Sequence, residues 1–338
     1  MKRFLTVCAV LLLIICTVSG LAALILREMN PPSETSGIQN DRTSSEDATN
    51  TDAISTEKSQ TVTESETLPP PPVLEIPDLN CTQVFVYDVT AEAFLYEKGT
   101  DQPIIPASIT KLLTALCALH YMPADELITP GDEQELLQKG SSTAYVKSNH
   151  TLTLSMLVEG MMLPSGNDAA FAVAAGVARY LNKDPNLAGT EAVKIFMDLA
   201  NDYAKSLGCT DTHFTVPDGF IYEEHTTTAR DLVLIGKAAM QNEIIAKYAA
   251  TVSERVTYAS GHIMTWNNTN PLINPESVFY SPYVTGLKTG SLSEAFSIMV
   301  SAEINGKTFI MGFFGSPTKD GRYQDAHTVI NLLMSQTV

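Results

Sequence analysis

The 338-residue chain is poor in the residues that build metal centres and disulfide frameworks. It has five cysteines, and two of them, Cys8 and Cys16, fall within an apolar N-terminal run. The remaining Cys81, Cys117 and Cys209 are odd in number and far apart, which argues against a disulfide framework or a cysteine zinc site and leaves buried free thiols as the expectation. The six histidines show no His-Glu-x-x-His or comparable ligand spacing, so the chain calls for no metal and no other cofactor. Basic residues are also scarce: 21 Lys and Arg stand against 38 Asp and Glu, a net charge of -17. A nucleic-acid partner is excluded on that ground, because phosphate recognition needs a basic face.

What is present divides into three regions. Lys2 and Arg3 precede an uncharged, mostly apolar run of 23 residues, Phe4 to Leu26. That run is long enough to span a bilayer, and the basic pair favours a cytoplasmic start. Residues 1–29 are therefore expected to be a single N-terminal anchor in the cytoplasmic membrane of a bacterial cell, with the rest of the chain outside. A signal peptide cleaved near "TVSGLAA", which would release the protein, is the alternative. Residues 30–76 read as a disordered acidic linker rich in Ser, Thr and Pro, with eight acidic and two basic residues between 30 and 72 and four prolines at 69–72. Its 43 residues from 30 to 72 imply an end-to-end distance on the order of 40 Å. The 44% hydrophobic content of the whole chain supplies a substantial core for the remaining domain, residues 77–338.

Within that domain, two short strands are expected over Gln83–Val89 and Ala93–Glu97, and helical patterns dominate from residue 106 to about 245. "AFSIMVSAE-ING-KTFIMGFFG" reads as a hairpin turning at Asn305-Gly306, followed by a helix from about Arg322 to Met334. Strands at both ends and helices between them imply an α/β (α+β) fold, in which an antiparallel sheet is formed by both ends of the domain around an inserted helical lobe. The cleft between lobes is the natural place for a site.

Three short motifs carry chemistry. In "PASITKLLTALCALHY", apolar positions 109, 112, 113 and 116 predict an amphipathic helix with Ser108 and Lys111 one turn from its start. A serine hydroxyl needs a neighbouring base, and lysine can serve if burial or positive charge lowers its pKa. Two other Ser-x-x-Lys matches, Ser55 to Lys58 and Ser316 to Lys319, lie in the linker and in a turn and lack a helical context. "MMLPSGNDAA" places Ser165 and Asn167 at the entry to an Ala-rich helix, where ordinary capping competes with a role in a site. "YVTGLKTGSLSEAF" holds the chain's single Lys-Thr-Gly, Lys288 to Gly290, where Gly290 leaves room for a ligand backbone at a strand edge and Thr289 offers a hydroxyl.

The three motifs occur in the order known for penicillin-binding proteins and class A β-lactamases. "PASITKLLTAL", "LPSGNDAA" and "GLKTGSLSEAF" resemble the low-molecular-weight serine D-alanyl-D-alanine carboxypeptidases in particular, and the "SGN" form separates them from β-lactamases, which usually carry "SDN". "HFTVPDGFIYEEHTTTARDLVLIGKAAM" is similar to a further family block, with Val216 and Phe220 in place of the usual Asn and Leu and Thr226 in place of Tyr. The resemblance implies a β-lactamase/transpeptidase-like fold with the active site between lobes. It makes Ser108 the nucleophile, Lys111 its base and Ser165 a proton relay, with Asn167 holding the substrate amide. Lys288 would supply positive potential, Thr289 would bind the terminal carboxylate of the peptide beside Gly290 at the strand edge, and the N–H groups of Ser108 and Ser291 would form the oxyanion hole. Arg322 matches a basic position that helps bind a substrate carboxylate, a solvated surface arginine being the alternative. The implied partners are peptidoglycan stem peptides ending in D-Ala-D-Ala, and β-lactams as covalent inhibitors. A class A-like β-lactamase and a catalytically silent wall-binding or penicillin-sensing domain are the competing readings.

Overall fold

The computed structural model describes residues 73–220, 223–293 and 295–336. The expected anchor and nearly all of the expected linker lie outside the described residues. The domain reaches further back than expected. Leu74 is buried and donates its N–H to the Leu95 carbonyl at 2.8 Å, so the boundary placed at 77 moves towards the N-terminus.

Five strands form the main sheet: β1 (Gln83–Asp88), β2 (Ala93–Lys98) and, far along the chain, β5 (Val284–Ser291), β6 (Phe296–Ile304) and β7 (Lys307–Ser316). A separate two-stranded ribbon, β3 (Ser253–Thr257) with β4 (Ile263–Asn267), lies between. The sheet order is β2-β1-β7-β6-β5, antiparallel throughout, so the first and last strands of the domain meet at β1 and β7, as expected from sequence. The hairpin between β6 and β7 turns at Asn305 and Gly306, both with positive φ (52° and 75°), the twist a two-residue loop requires.

Side chains alternate across these strands and feed two cores. Val84 and Val86 of β1, with Ile298, Val300, Met311 and Phe313, face a helix formed by Gly321–Ser335. Phe85 and Tyr87, with Met299, Ile310 and Phe314, face the helical side. Both faces of the sheet are thereby covered.

The helical lobe contains α1 (Lys111–Tyr121), α2 (Leu154–Met162), α3 (Asn167–Asn182), α4 (Gly189–Ser206), α5 (Ala229–Gln241) and α6 (Glu243–Ala250), and α7 (Gly321–Ser335) closes the domain. The expected amphipathic character of α1 is not what the structure shows. Every residue from Lys111 to Ala118 is buried, because α1 is the central helix against which α2 to α6 pack. An apolar stripe predicts which face is buried first; an all-round buried helix follows when neighbours cover the small residues Thr114, Ala115 and Ala118 as well. Removing Leu112, Leu113 and Leu116 from water contributes about 2 kcal/mol each. This burial fixes the position of Lys111.

Candidate active site

Ser108 sits in a single 3-10 turn, Ala107–Thr110, that leads into α1, and Ala107 before it has φ +51°. A left-handed non-glycine residue costs on the order of 1 kcal/mol and persists when its surroundings fix it. Here the surroundings are β5 and the 215–220 loop. A Cβ on Gly290 would lie 2.7 Å from the Pro106 carbonyl oxygen, and a Cβ on Gly219, whose φ is +79°, would overlap the Ala107 carbonyl. Gly290 thus makes room for the turn that carries Ser108. The expectation that it clears space for a ligand backbone is corrected by that contact.

Lys111 is fully buried, and its Nζ lies 2.9 Å from Ser108 Oγ, 2.8 Å from Asn167 Oδ1 and 2.7 Å from the Asp218 carbonyl. The last two groups can only accept, since the Asn167 amide nitrogen donates to Ser141 Oγ at 3.0 Å. A neutral amine has two protons and one lone pair. With both protons given to Asn167 and Asp218, the lone pair has Ser108 as its one hydrogen-bonded O–H neighbour. Burial lowers the Lys111 pKa to about 8, opposed by the charges of Asp218 and Asp168. Ser108 itself is half-buried, so the hydroxyl reaches the cleft while its base does not.

Ser165 does not cap α3. It stands before the helix with φ +62°, Gly166 is the cap residue without a side-chain bond, and Ser165 Oγ accepts from Lys288 Nζ at 2.9 Å. Its backbone is held by Ser142 Oγ, which donates to the Ser165 carbonyl at 2.6 Å. Asn167 is the first residue of α3, and its neighbour Asp168 accepts the N–H groups of Ala144, Val146 and Ala169. Burial raises the Asp168 carboxyl pKa, and those backbone donors oppose the shift.

Lys288 and Thr289 lie on β5, and both are buried. Burial lowers the Lys288 pKa well below the usual lysine value, and the nearby Lys111 and Arg322 charges lower it further. Thr289 Oγ1 is 2.6 Å from Thr269 Oγ1. Arg322 is not the solvated arginine held open above: it is 2% exposed. Its Nη1 donates to the Gly290 carbonyl (2.6 Å), the Ser297 carbonyl (2.7 Å) and Ser291 Oγ (3.1 Å), and its Nη2 to Tyr323 Oη (2.6 Å). The guanidinium therefore clamps the end of β5 to α7 and β6.

All nine expected residues converge. Ser108, Ser165, Asn167, Thr289, Ser291 and Arg322 line one cavity of about 390 Å³ together with Asp218 and Phe220, with Lys111, Lys288 and Gly290 packed behind it. A larger cavity, about 820 Å³, lies beside α3 around Gly131 and Arg179, but it holds no paired nucleophile and base.

Several residues of the site were not singled out from the sequence. The 215–220 loop is tied to α1 by Thr114 Oγ1, which donates to the Pro217 carbonyl at 2.7 Å, and by Lys111 to Asp218. His225 completes the brace: its Nδ1 accepts from Thr215 N at 3.1 Å, so Nε2 carries the hydrogen and donates to Thr110 Oγ1 at 2.9 Å. Burial lowers the His225 pKa to about 3, so it is a neutral strut. Pro217-Asp218-Gly219 is a turn signal from which the bend could have been read, though not where it packs.

The family described as D-alanyl-D-alanine carboxypeptidase matches residues 71–318. The chain belongs to that family. It is 32% identical over 251 residues to the D-alanyl-D-alanine carboxypeptidase of Streptomyces sp. (strain K15), covering 70% of this chain and 81% of the relative. It is 28% identical over 247 residues to D-alanyl-D-alanine carboxypeptidase DacF of Bacillus subtilis (strain 168), covering 72% of this chain but 59% of that relative's length. The crystal structure of the Streptomyces K15 DD-transpeptidase superposes with a TM-score of 0.69 at 27% identity, covering 78% of this chain and 100% of the other. The fold of this carboxypeptidase-family domain is accordingly the α/β penicillin-binding, β-lactamase-like one.

Proposed function

We propose that the protein is a serine-type D-alanyl-D-alanine carboxypeptidase that removes the terminal D-alanine from peptidoglycan stem peptides. The observation that carries the reading is the hydrogen-bonding of Lys111, which leaves its lone pair to the Ser108 hydroxyl. Ser108 Oγ attacks the carbonyl between the two D-alanines while its proton passes to Lys111 Nζ. The oxyanion is held by the backbone N–H groups of Ser108 and Ser291, donors that cost no reorganisation as charge develops. Collapse breaks the C–N bond as the proton taken from Ser108 passes from Lys111 by way of the Ser165 hydroxyl to the leaving nitrogen, which returns Lys111 to its neutral form and leaves an ester on Ser108. Water then adds to the ester as its proton passes to Lys111, the C–O bond to Ser108 breaks, Lys111 returns that proton to Ser108 Oγ, and the shortened peptide leaves.

Asn167 orients the substrate amide. Lys288 and Thr289 receive the terminal carboxylate, with Arg322 holding the end of β5 in place for it. β-Lactams offer a strained amide in the same geometry and acylate Ser108. The domain works outside the cytoplasmic membrane, held there by residues 1–29 through the linker. Incubation with a diacetyl-lysyl-D-alanyl-D-alanine peptide is expected to release free D-alanine, and penicillin treatment to leave a mass-shifted peptide containing Ser108. Folded protein that does neither would overturn the reading. Because the similar Streptomyces K15 structure is that of a DD-transpeptidase, adding an amine acceptor to the same assay tests transfer against hydrolysis.

A further inference from the structure

The Asp218 side chain is a group that the mechanism above does not use. Its backbone carbonyl accepts from Lys111, a service that any residue at this position would supply. The carboxylate is nevertheless 1% exposed, at the wall of the catalytic cavity. Oδ1 accepts the Phe220 N–H at 3.1 Å, closing the tight turn that contains Gly219. Oδ2 is buried and meets no donor among the described residues. A buried carboxylate oxygen without a donor is costly, so its retention beside a buried amine needs a reason beyond the turn.

The surroundings of Lys111 supply that reason. From β5 comes Lys288, a second buried amine, with Arg322 of α7 next to it. From α3 comes Asp168, whose carboxylate is spent on three backbone N–H groups. Thr110, the residue before Lys111 in the chain, is hydrogen-bonded to the neutral His225. Burial pushes Lys111 towards losing its proton. Asp218 carries the least compensated negative charge facing it, and it does so through space, without an ion-pair contact.

We propose that Asp218 is a positioning residue whose carboxylate acts through Lys111, holding a proton on that amine strongly enough for it to take one from Ser108. The proposal rests on the acyl-enzyme reading above. A base buried beside other cations becomes too weak to deprotonate a serine; a fixed negative charge at the back of the pocket restores its strength without blocking the lone pair. The direction in which Asp218 shifts the Lys111 pKa, upward, agrees.

The test is the pH profile of Ser108 acylation by a fluorescent penicillin, measured on the full chain and on Asp218→Asn, Asp218→Ala and Asp218→Glu. In the wild type the rate rises with pH as Lys111 becomes neutral. In the Asn and Ala variants that ascending limb is expected to move to lower pH by about one unit, and the plateau to fall several-fold because the base is weaker. The Glu variant is expected to keep the limb near its wild-type position. Folded Asn and Ala variants with an unmoved limb would overturn the proposal. So would loss of folding in both, since that would assign the carboxylate to stability. A wild-type protein that is not acylated at any pH would sink the underlying reading instead, so the two failures are distinguishable.

Discussion

The two sides of the catalytic cleft each bury a lysine against a serine, and they are not equivalent. On the helical side, Lys111 is bonded to Ser108 and to two groups that can only accept, with Asp218 and Asp168 nearby to favour its charge. On the sheet side, Lys288 donates to Ser165 at 2.9 Å and to its own neighbour's carbonyl at 3.3 Å, and its charged neighbours are the cations Lys111 and Arg322. The same residue pair is thus a nucleophile with its base on one side and a relay with its donor on the other. Residue type sets what each lysine can do; the surrounding charges and acceptors set which of those things it does.

The sharpest way to break this comparison is to remove each amine in turn. Lys111→Ala should lower the rate of Ser108 acylation by a fluorescent penicillin about 10³-fold, the scale of a lost general base. Lys288→Ala should cost less, about 10²-fold, because it removes stabilisation of developing charge and leaves the base in place. If the order of the two effects were reversed, the assignment of the two sides would be wrong. The wild-type rate should also rise with pH through a midpoint near 8, the value to which burial brings Lys111. Below that value Lys111 is protonated and cannot take the serine proton, so the limb must ascend.

The sequence made the sheet legible and concealed the surroundings of the lysines. Strands β1, β2, β6 and β7 were visible because their apolar runs end at turn residues, and the Asn305-Gly306 hairpin fixed the pairing of β6 with β7. The β3–β4 ribbon was not seen. Of its residues, Val256 and Trp266 are buried while Ser253, Glu254, Arg255 and Thr257 are exposed, so the alternation that marks a strand is faint. The motifs carried Ser108, Lys111, Ser165 and Asn167, and the structure brings them together. Local reasoning left Ser165 open between capping and a role in the site, and at Gly290 it missed that the close approach is to the chain's own Pro106. Both outcomes depend on contacts more than a hundred residues away in sequence, which no window of the sequence contains.

Arg322 tests whether the sheet side is held from behind. Arg322→Ala would leave the Gly290 and Ser297 carbonyls without the donor that reaches them at 2.6 and 2.7 Å. Unfolding in urea should show a loss of about 3 kcal/mol, the range for breaking a buried charged network. Acylation should fall as well, since the end of β5 carries Thr289 and Ser291. Arg322→Lys is expected to recover little of either, because one ammonium cannot reproduce the guanidinium fork.

The smallest expected effect comes from the Ser-x-x-Lys match that lies beside the cleft without being its nucleophile. Ser316 is fully buried at the end of β7, and its hydroxyl donates to the Thr318 carbonyl at 2.8 Å. Lys319, three residues on, is exposed to water at the rim of the cavity. The spacing is that of Ser108 and Lys111, but this lysine is solvated and the serine's proton is already committed to a carbonyl. Ser316→Ala should therefore cost about 1 kcal/mol of stability, one buried hydrogen bond, and leave the acylation rate per folded molecule within about twofold. A large loss of acylation with folding intact would mean that spacing alone, without burial of the amine, is enough to make a lysine act on a serine.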